Sequence, residues 1–423
     1  MKLVVFTHSL RSCWNHGNAH FLRGVMRELI LTGHEVAAYE PEGAWSVQNL
    51  LRDHGKVGLQ ASLAPYPDLS STVFDDSLDL DAALDGADAV LVHEWSEPDL
   101  VARIGALRRR GGRFTLLFHD THHQAVSDPN AIRRFDLDGY DGILAFGATL
   151  AEVYRCWGWG DRVFVWHEAA DTRLFHPPER APPPRWRGEG WGEWESLDEV
   201  ESRGRRTALP QHEALLATPP HPTLSPPAGR GYRDRQGLVW IGNWGDDERG
   251  AELETFLFRP ARKAGLSLDV YGVRYPEHAL ATLSRYGALY RGWLPNARAP
   301  DIFSRHLATV HVPRRFYVEG LPGIPTIRVF EALACGIPLV CAPWRDSENL
   351  FRPGKDYLIA ADEAAMERHL AALRDDPDLR RSLAASGLQT IRARHTCAHR
   401  AQELLAILHD LRAPAPIPME ASA

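Results

Sequence analysis

Lysine is almost missing from this 423-residue chain, which carries Lys2, Lys56, Lys263 and Lys355 and no others. That scarcity argues against a pyridoxal-dependent phosphorylase, which needs a Schiff-base lysine. The five cysteines, Cys13, Cys156, Cys335, Cys341 and Cys397, form no close pair. A redox motif and a structural zinc site are therefore unexpected, and a reducing cytoplasm is the expected compartment. No run approaches the roughly 18 apolar residues that cross a bilayer. Met1 to Phe6 is apolar only briefly before Thr7 and His8, so it reads as a first strand and not as a signal peptide. No Asp-x-Asp pair stands in the usual metal-nucleotide setting, so no metal site is expected. A net charge of -7 argues against broad electrostatic capture of nucleic acid.

What is present has the balance of an ordinary globular protein, with 44% hydrophobic and 24% charged residues. The length suggests two domains plus extra material. Apolar strand-like runs alternate with helical patterns, the signature of parallel sheets covered on both faces. The first series is Leu3 to Phe6, Val36 to Tyr39, Ala89 to Val92, Phe114 to Phe118, Gly142 to Ala145 and Val163 to Val165. A second begins at Leu238 and includes Leu268 to Tyr271, Ala308 to Val312, Pro338 to Cys341 and Tyr357 to Ile359. Between them, His176 to Gln236 is rich in Pro, Gly, Arg and Glu and has no sustained period. Such a segment buries little apolar surface, so a disordered or loosely packed insertion is expected, with Trp186, Trp191 and Trp194 within it. The economical fold is α/β, with two Rossmann-like doubly wound domains facing each other across a cleft.

The segment from Gly323 to Val340 carries the densest information. Pro325 or Thr326 starts a short helix and Gly336 ends it. Ile327, Phe330, Leu333 and Ala334 form its buried stripe, while Arg328 and Glu331, three apart, share one face. A helix start with free amides, an arginine and a carboxylate one turn in can hold a phosphate and a ribose. The same pair also reads as a plain structural ion pair on a half-buried helix.

The string Phe330-Glu331-Ala-Leu-Ala-Cys-Gly-Ile-Pro-Leu-Val340 resembles the nucleotide-binding segment of GT-B-fold glycosyltransferases (glycosyl transferases group 1). With Thr326 and Arg328 before it, it is most similar to the spore-maturation-type (CgeB-like) members. Leu238 to Arg249 resembles the first strand and glycine loop of that family's donor domain, and Glu348 to Tyr357 its next loop. Arg394-His-Thr396 fits its tail, and His16-Gly-Asn-Ala-His20 with Gly33-His-Glu-Val36 fits the opening of its acceptor domain. The resemblance implies an acceptor-side domain over 1–170 and a linker with the insertion over 171–236. It further implies a donor domain over 237–395, and over 396–423 a C-terminal helix that crosses back, with a tail. It implies a metal-independent hexosyl or related transfer, in glycan biosynthesis, from a nucleotide-sugar donor to an unidentified acceptor glycan, lipid or small molecule. No cofactor beyond the donor as co-substrate is implied, and Glu331 takes the ribose. Family 4 retaining enzymes have a second glutamate eight positions upstream, where this chain has Gly323.

In open parallel sheets ligands bind beyond the strand carboxyl ends, so polar residues there carry the chemistry. His119 follows Phe114 to Phe118 and is accompanied by Asp120, an imidazole and carboxylate suited to deprotonating an acceptor hydroxyl. His20, at the start of the first helix, is the second candidate base; His119 also reads as a hydrogen-bonded loop residue and His20 as a simple cap or surface histidine. On the donor side, Gly242 and Asn243 offer a flexible backbone to phosphate and Arg249 a charge, with Thr326, Arg328 and Glu331 completing the set. Two rivals stay open: a sugar-nucleotide epimerase on the same fold, and a non-catalytic nucleotide- or glycan-binding scaffold.

Overall fold

Runs such as Leu3-Val-Val-Phe6 and Ala89-Val-Leu-Val92 have no polar face to turn to water, and they are stable only when covered on both sides. The computed structural model, which describes residues 1–15, 17–178, 235–245 and 247–412, places them in the interior of a parallel sheet. Seven strands, β1 (Lys2–Phe6), β2 (Glu35–Pro41), β3 (Ser71–Phe74), β4 (Ala89–His93), β5 (Thr115–Asp120), β6 (Gly142–Ala145) and β7 (Val163–Val165), form that sheet in the order β3-β2-β1-β4-β5-β6-β7. A second sheet has the order β10-β9-β8-β11-β12-β13, from β8 (Leu238–Ile241), β9 (Leu268–Tyr271), β10 (Leu289–Gly292), β11 (Ala308–His311), β12 (Leu339–Cys341) and β13 (Leu358–Ile359). The pairings in both sheets are parallel. Two doubly wound domains is therefore the architecture. The sequence expectation locates eleven of the strands to within two residues and misses β3 and β10. Both are partly or largely exposed sheet edges, and an edge strand needs no continuous apolar run.

The helix Ala19–Leu31 buries Phe21, Leu22, Val25, Met26 and Leu29, the stripe its spacing dictates. The last helix, Cys397–Arg412, crosses back onto it as expected. Ala170 and Thr396 form an isolated parallel bridge, and Trp166 donates its Nε1–H to the Arg400 carbonyl at 2.9 Å. A Cβ on Gly24 would stand 2.5 Å from Cys397 Sγ and 2.8 Å from Asp171 Cβ, so only glycine admits this approach. Leu3, Phe21 and Trp166 of the first domain share one apolar core with Phe330, Leu333 and Leu404. The described residues belong to one compact unit.

Residues 179–234 hold all but the ends of the 176–236 stretch and lie outside the described residues, as do His16, Asp246 and 413–423. The expected insertion, its tryptophans and the tail fall there. Among the described residues no helix is long and apolar enough to cross a membrane.

Candidate active site

Where strand order reverses, successive connections leave in opposite directions and open a crevice at the carboxyl ends. The reversal lies between β1 and β4 in the first sheet and between β8 and β11 in the second. The segments leaving these four strands line one cleft of about 640 Å³, with His8 and Asn18 after β1, Trp95 after β4, Gly242 and Asn243 after β8, and Val312 and Arg314 after β11. The topology of two sheets thus converges on a single site.

On the second domain's wall, the Gly242 loop is held, where the sequence suggested flexibility. Its N–H bonds the Tyr271 carbonyl at 2.9 Å, its carbonyl accepts the Tyr275 hydroxyl at 3.0 Å, and Trp240 leaves no room for a Cβ. Asn243 Nδ2 donates to Asn15 Oδ1 of the first domain at 2.6 Å. Arg249 directs Nη1 to the Val312 carbonyl at 2.8 Å and Nη2 to the Asn243 carbonyl at 2.7 Å. It therefore pins the loop to the end of β11 as well as charging the cleft; burial pushes its guanidinium down to about 10, with Arg314 adding to the fall. Thr326 Oγ1 meets His311 Nε2 at 3.1 Å, and burial followed by the Arg249 charge lowers that imidazole to about 3, keeping it neutral. Arg328 and Arg314 line the same wall. Their partners are Glu331 for Arg328 and Glu248, at 2.8 Å, for Arg314.

Four expected residues do not face the cleft. Glu331 is fully buried, with Oε1 2.9 Å from His20 Nδ1, an ion-pair contact and not an aligned hydrogen bond, and Oε2 on Arg328. Burial raises this carboxyl, but Arg328 and then His20 outweigh it and hold it below the usual range. His20 is also fully buried, packed on Phe175 with ring centroids 4.5 Å apart. His119 lies under the surface among Phe21, His93 and Trp166, and burial lowers it to about 3. Asp120 accepts the Tyr154 hydroxyl at 2.7 Å and the His122 N–H at 2.9 Å, and burial raises it to about 6. Beside it Glu94, bonded by the Thr121 hydroxyl and N–H, is pushed well up by burial and by the Asp120 charge. His119 and Asp120 thus form part of a buried layer under the cleft floor. The same rule that chose them, a polar residue just after a buried strand, missed a carboxylate that does line the cleft. Glu168 follows β7, and its Oε1 is buried without a hydrogen-bond partner among the described residues. Burial first, and the Glu331 charge next, raise it well above the usual carboxyl range, with Arg328 pulling the other way.

Gly323 adopts φ +100°, and a Cβ there would run into the Ser347 hydroxyl. A side chain on this backbone is strained, which disfavours a glutamate at the position of the family 4 second glutamate. Among the described residues no group of three His, Cys, Asp or Glu side chains is arranged to hold a metal ion.

Residues 249–406 match the profile of a family described as glycosyl transferase-like. No curated protein matches the chain. Among solved structures, it is similar to an α-glucosyltransferase in complex with UDP and a 13-mer DNA, at 11% identity and a TM-score of 0.61, covering 97% of this chain and 99% of that one. Sucrose-phosphate synthase from Thermosynechococcus elongatus gives 13% identity and 0.59, covering 97% and 99%. Anabaena HepE in complex with UDP and glucose gives 12% and 0.55, covering 97% and 100%. At such identities the likeness is one of fold, and that fold is GT-B.

Proposed function

We propose that this protein is a glycosyltransferase that moves a hexosyl or related sugar from a nucleoside diphosphate donor to an acceptor hydroxyl. The observation that carries the reading is the convergence of both switch points on one cleft whose second-domain wall holds Arg249, Arg274, Arg314 and Arg328 beside the Gly242 turn. Such a wall suits a diphosphate, whose charge grows as the anomeric bond breaks. The glycosyl transferase-like match over 249–406 falls on the domain that carries this wall and supports a transferase over an epimerase or an inert scaffold. UDP is the first nucleotide to test, since several similar structures hold it. The finer CgeB-like placement and a role in glycan biosynthesis rest on the resemblance of Thr326, Arg328 and Phe330 to Val340.

In this reading Glu168 accepts the proton of the acceptor hydroxyl while its oxygen bonds the anomeric carbon. The diphosphate departs with the electron pair of the broken bond, its charge met by Arg314, Arg328 and backbone amides. A carboxyl raised by burial is a stronger base once ionised, which suits this task. Asp120 acts from beneath, accepting the His122 N–H, while Glu94 holds Thr121. Thermal-shift and calorimetric titrations against UDP-, GDP-, dTDP- and ADP-sugars test the reading. Saturable binding of one nucleotide family with sugar transfer is expected; a folded sample that binds none overturns it.

A further inference from the structure

The two walls of the cleft differ in kind. On the second domain's wall stand four arginines, whereas among the described residues the first domain contributes no lysine or arginine to the lining. It contributes a run of rings instead. Trp45 stacks on His8 with centroids 4.8 Å apart and meets Trp95 edge-on at 6.4 Å; Trp95 meets His122 at 5.1 Å, and His122 meets His123 at 3.9 Å. Trp45 and Trp95 are half-buried and line the cleft, so part of each ring is available to a ligand. Beside the rings stand Gln124, Ser127 and Asp128, which supply an amide, a hydroxyl and a carboxylate but no cation. Burial lowers His8 and His123 to about 4 and His122 well below the ordinary imidazole range, so these rings are uncharged at neutral pH.

We infer that the acceptor is a neutral carbohydrate, one of whose sugar rings lies against Trp95 and Trp45 while its hydroxyls bond Gln124, Ser127 and Asp128. The inference rests on the transferase reading. Aromatic faces bury the C–H face of a sugar ring, and mixed donors and acceptors satisfy its hydroxyls. An anionic acceptor, whether a nucleic acid duplex or a phospholipid headgroup, requires cations along its path. This wall offers it no cation among the described residues, and the Asp128 carboxylate repels it.

The test uses the full chain with the donor found in the nucleotide screen. Acceptor probes are neutral p-nitrophenyl glycosides and neutral oligosaccharides, a 13-mer DNA duplex, and vesicles containing phosphatidylinositol. Transfer to a neutral glycoside is expected. Trp95→Ala should then raise the acceptor KM roughly ten-fold, the scale of one lost stacking contact, with Trp95→Phe recovering most of it and the nucleotide Kd within about two-fold of wild type. Transfer to DNA or vesicles but not to neutral glycosides overturns this inference and leaves the transferase reading standing. So does a Trp95→Ala variant, folded by circular dichroism, whose acceptor KM is unchanged. Absence of nucleotide binding is the different failure, that of the transferase reading beneath it.

Discussion

Replacing Glu331 by alanine separates a ribose ligand from a buried tie between domains. Its two oxygens are taken by His20, from the first domain, and by Arg328, from its own helix. Removing one partner of a buried pair costs about 3–5 kcal/mol when the remaining charge is stranded. Here the relief is partial: the Arg328 side chain is 26% exposed and can rehydrate. A cost of about 2–3 kcal/mol follows, at or below the lower end of that range. At about 2–4 °C per kcal/mol for a large domain, the melting temperature should fall by roughly 4–12 °C. The pH dependence carries the same signature. Because the folded Glu331 value is depressed, its stabilisation is present above the unfolded carboxyl value of about 4.3 and is lost as pH falls through the folded one. The alanine variant should lack that acid step. Urea unfolding of wild type, His20→Ala, Glu331→Ala and the double variant measures the coupling, expected at roughly 0.5–3 kcal/mol. A Glu331→Ala protein that melts like wild type yet loses nucleotide affinity ten-fold would refute the tie and restore the ribose role.

Three further outcomes are expected. Glu168→Gln should abolish transfer while nucleotide Kd stays within about two-fold, and wild-type kcat/KM should rise with pH as the raised carboxyl ionises; a variant that still transfers at more than about a tenth of the wild-type rate removes Glu168 from the chemistry. Gly323→Ala should destabilise by about 1–3 kcal/mol in urea unfolding, since the left-handed backbone and the Ser347 contact both oppose a Cβ. Gly24→Val should loosen the last helix, seen as faster amide exchange over 397–412, because Cys397 and Asp171 fill the space a side chain needs.

Strands such as β1, β4, β8 and β12 were legible in the sequence because they are buried on both faces and so must be short apolar runs; β3 and β10 were not, because an edge carries no such demand. The placement of the cationic wall was legible for a related reason. Gly242, Asn243, Thr326 and Arg328 lie within a few residues of strand or helix ends that the pattern already located, Arg249 closes the segment chosen by resemblance, and all five reach the cleft. His119 and Asp120 show where that reasoning stops. Pairing with β4 and β6 carries β5 through Asp120, two residues past its apolar run, so these side chains stay within the sheet while Thr121 to Gln124 emerge at the crevice.

The fate of Glu331 required three dimensions. Three-residue spacing put it beside Arg328, but the ion pair to His20 joins residues far apart in the chain and depends on the two domains meeting at the helix Ala19–Leu31. The depressed carboxyl and the buried imidazole are consequences of that meeting. The same meeting sets Glu168 against Arg328 and Glu331, so an oxygen that no group among the described residues claims is left at the boundary between the cationic wall and the aromatic one. That boundary is where an anomeric carbon must stand if its diphosphate lies on one wall and its acceptor on the other.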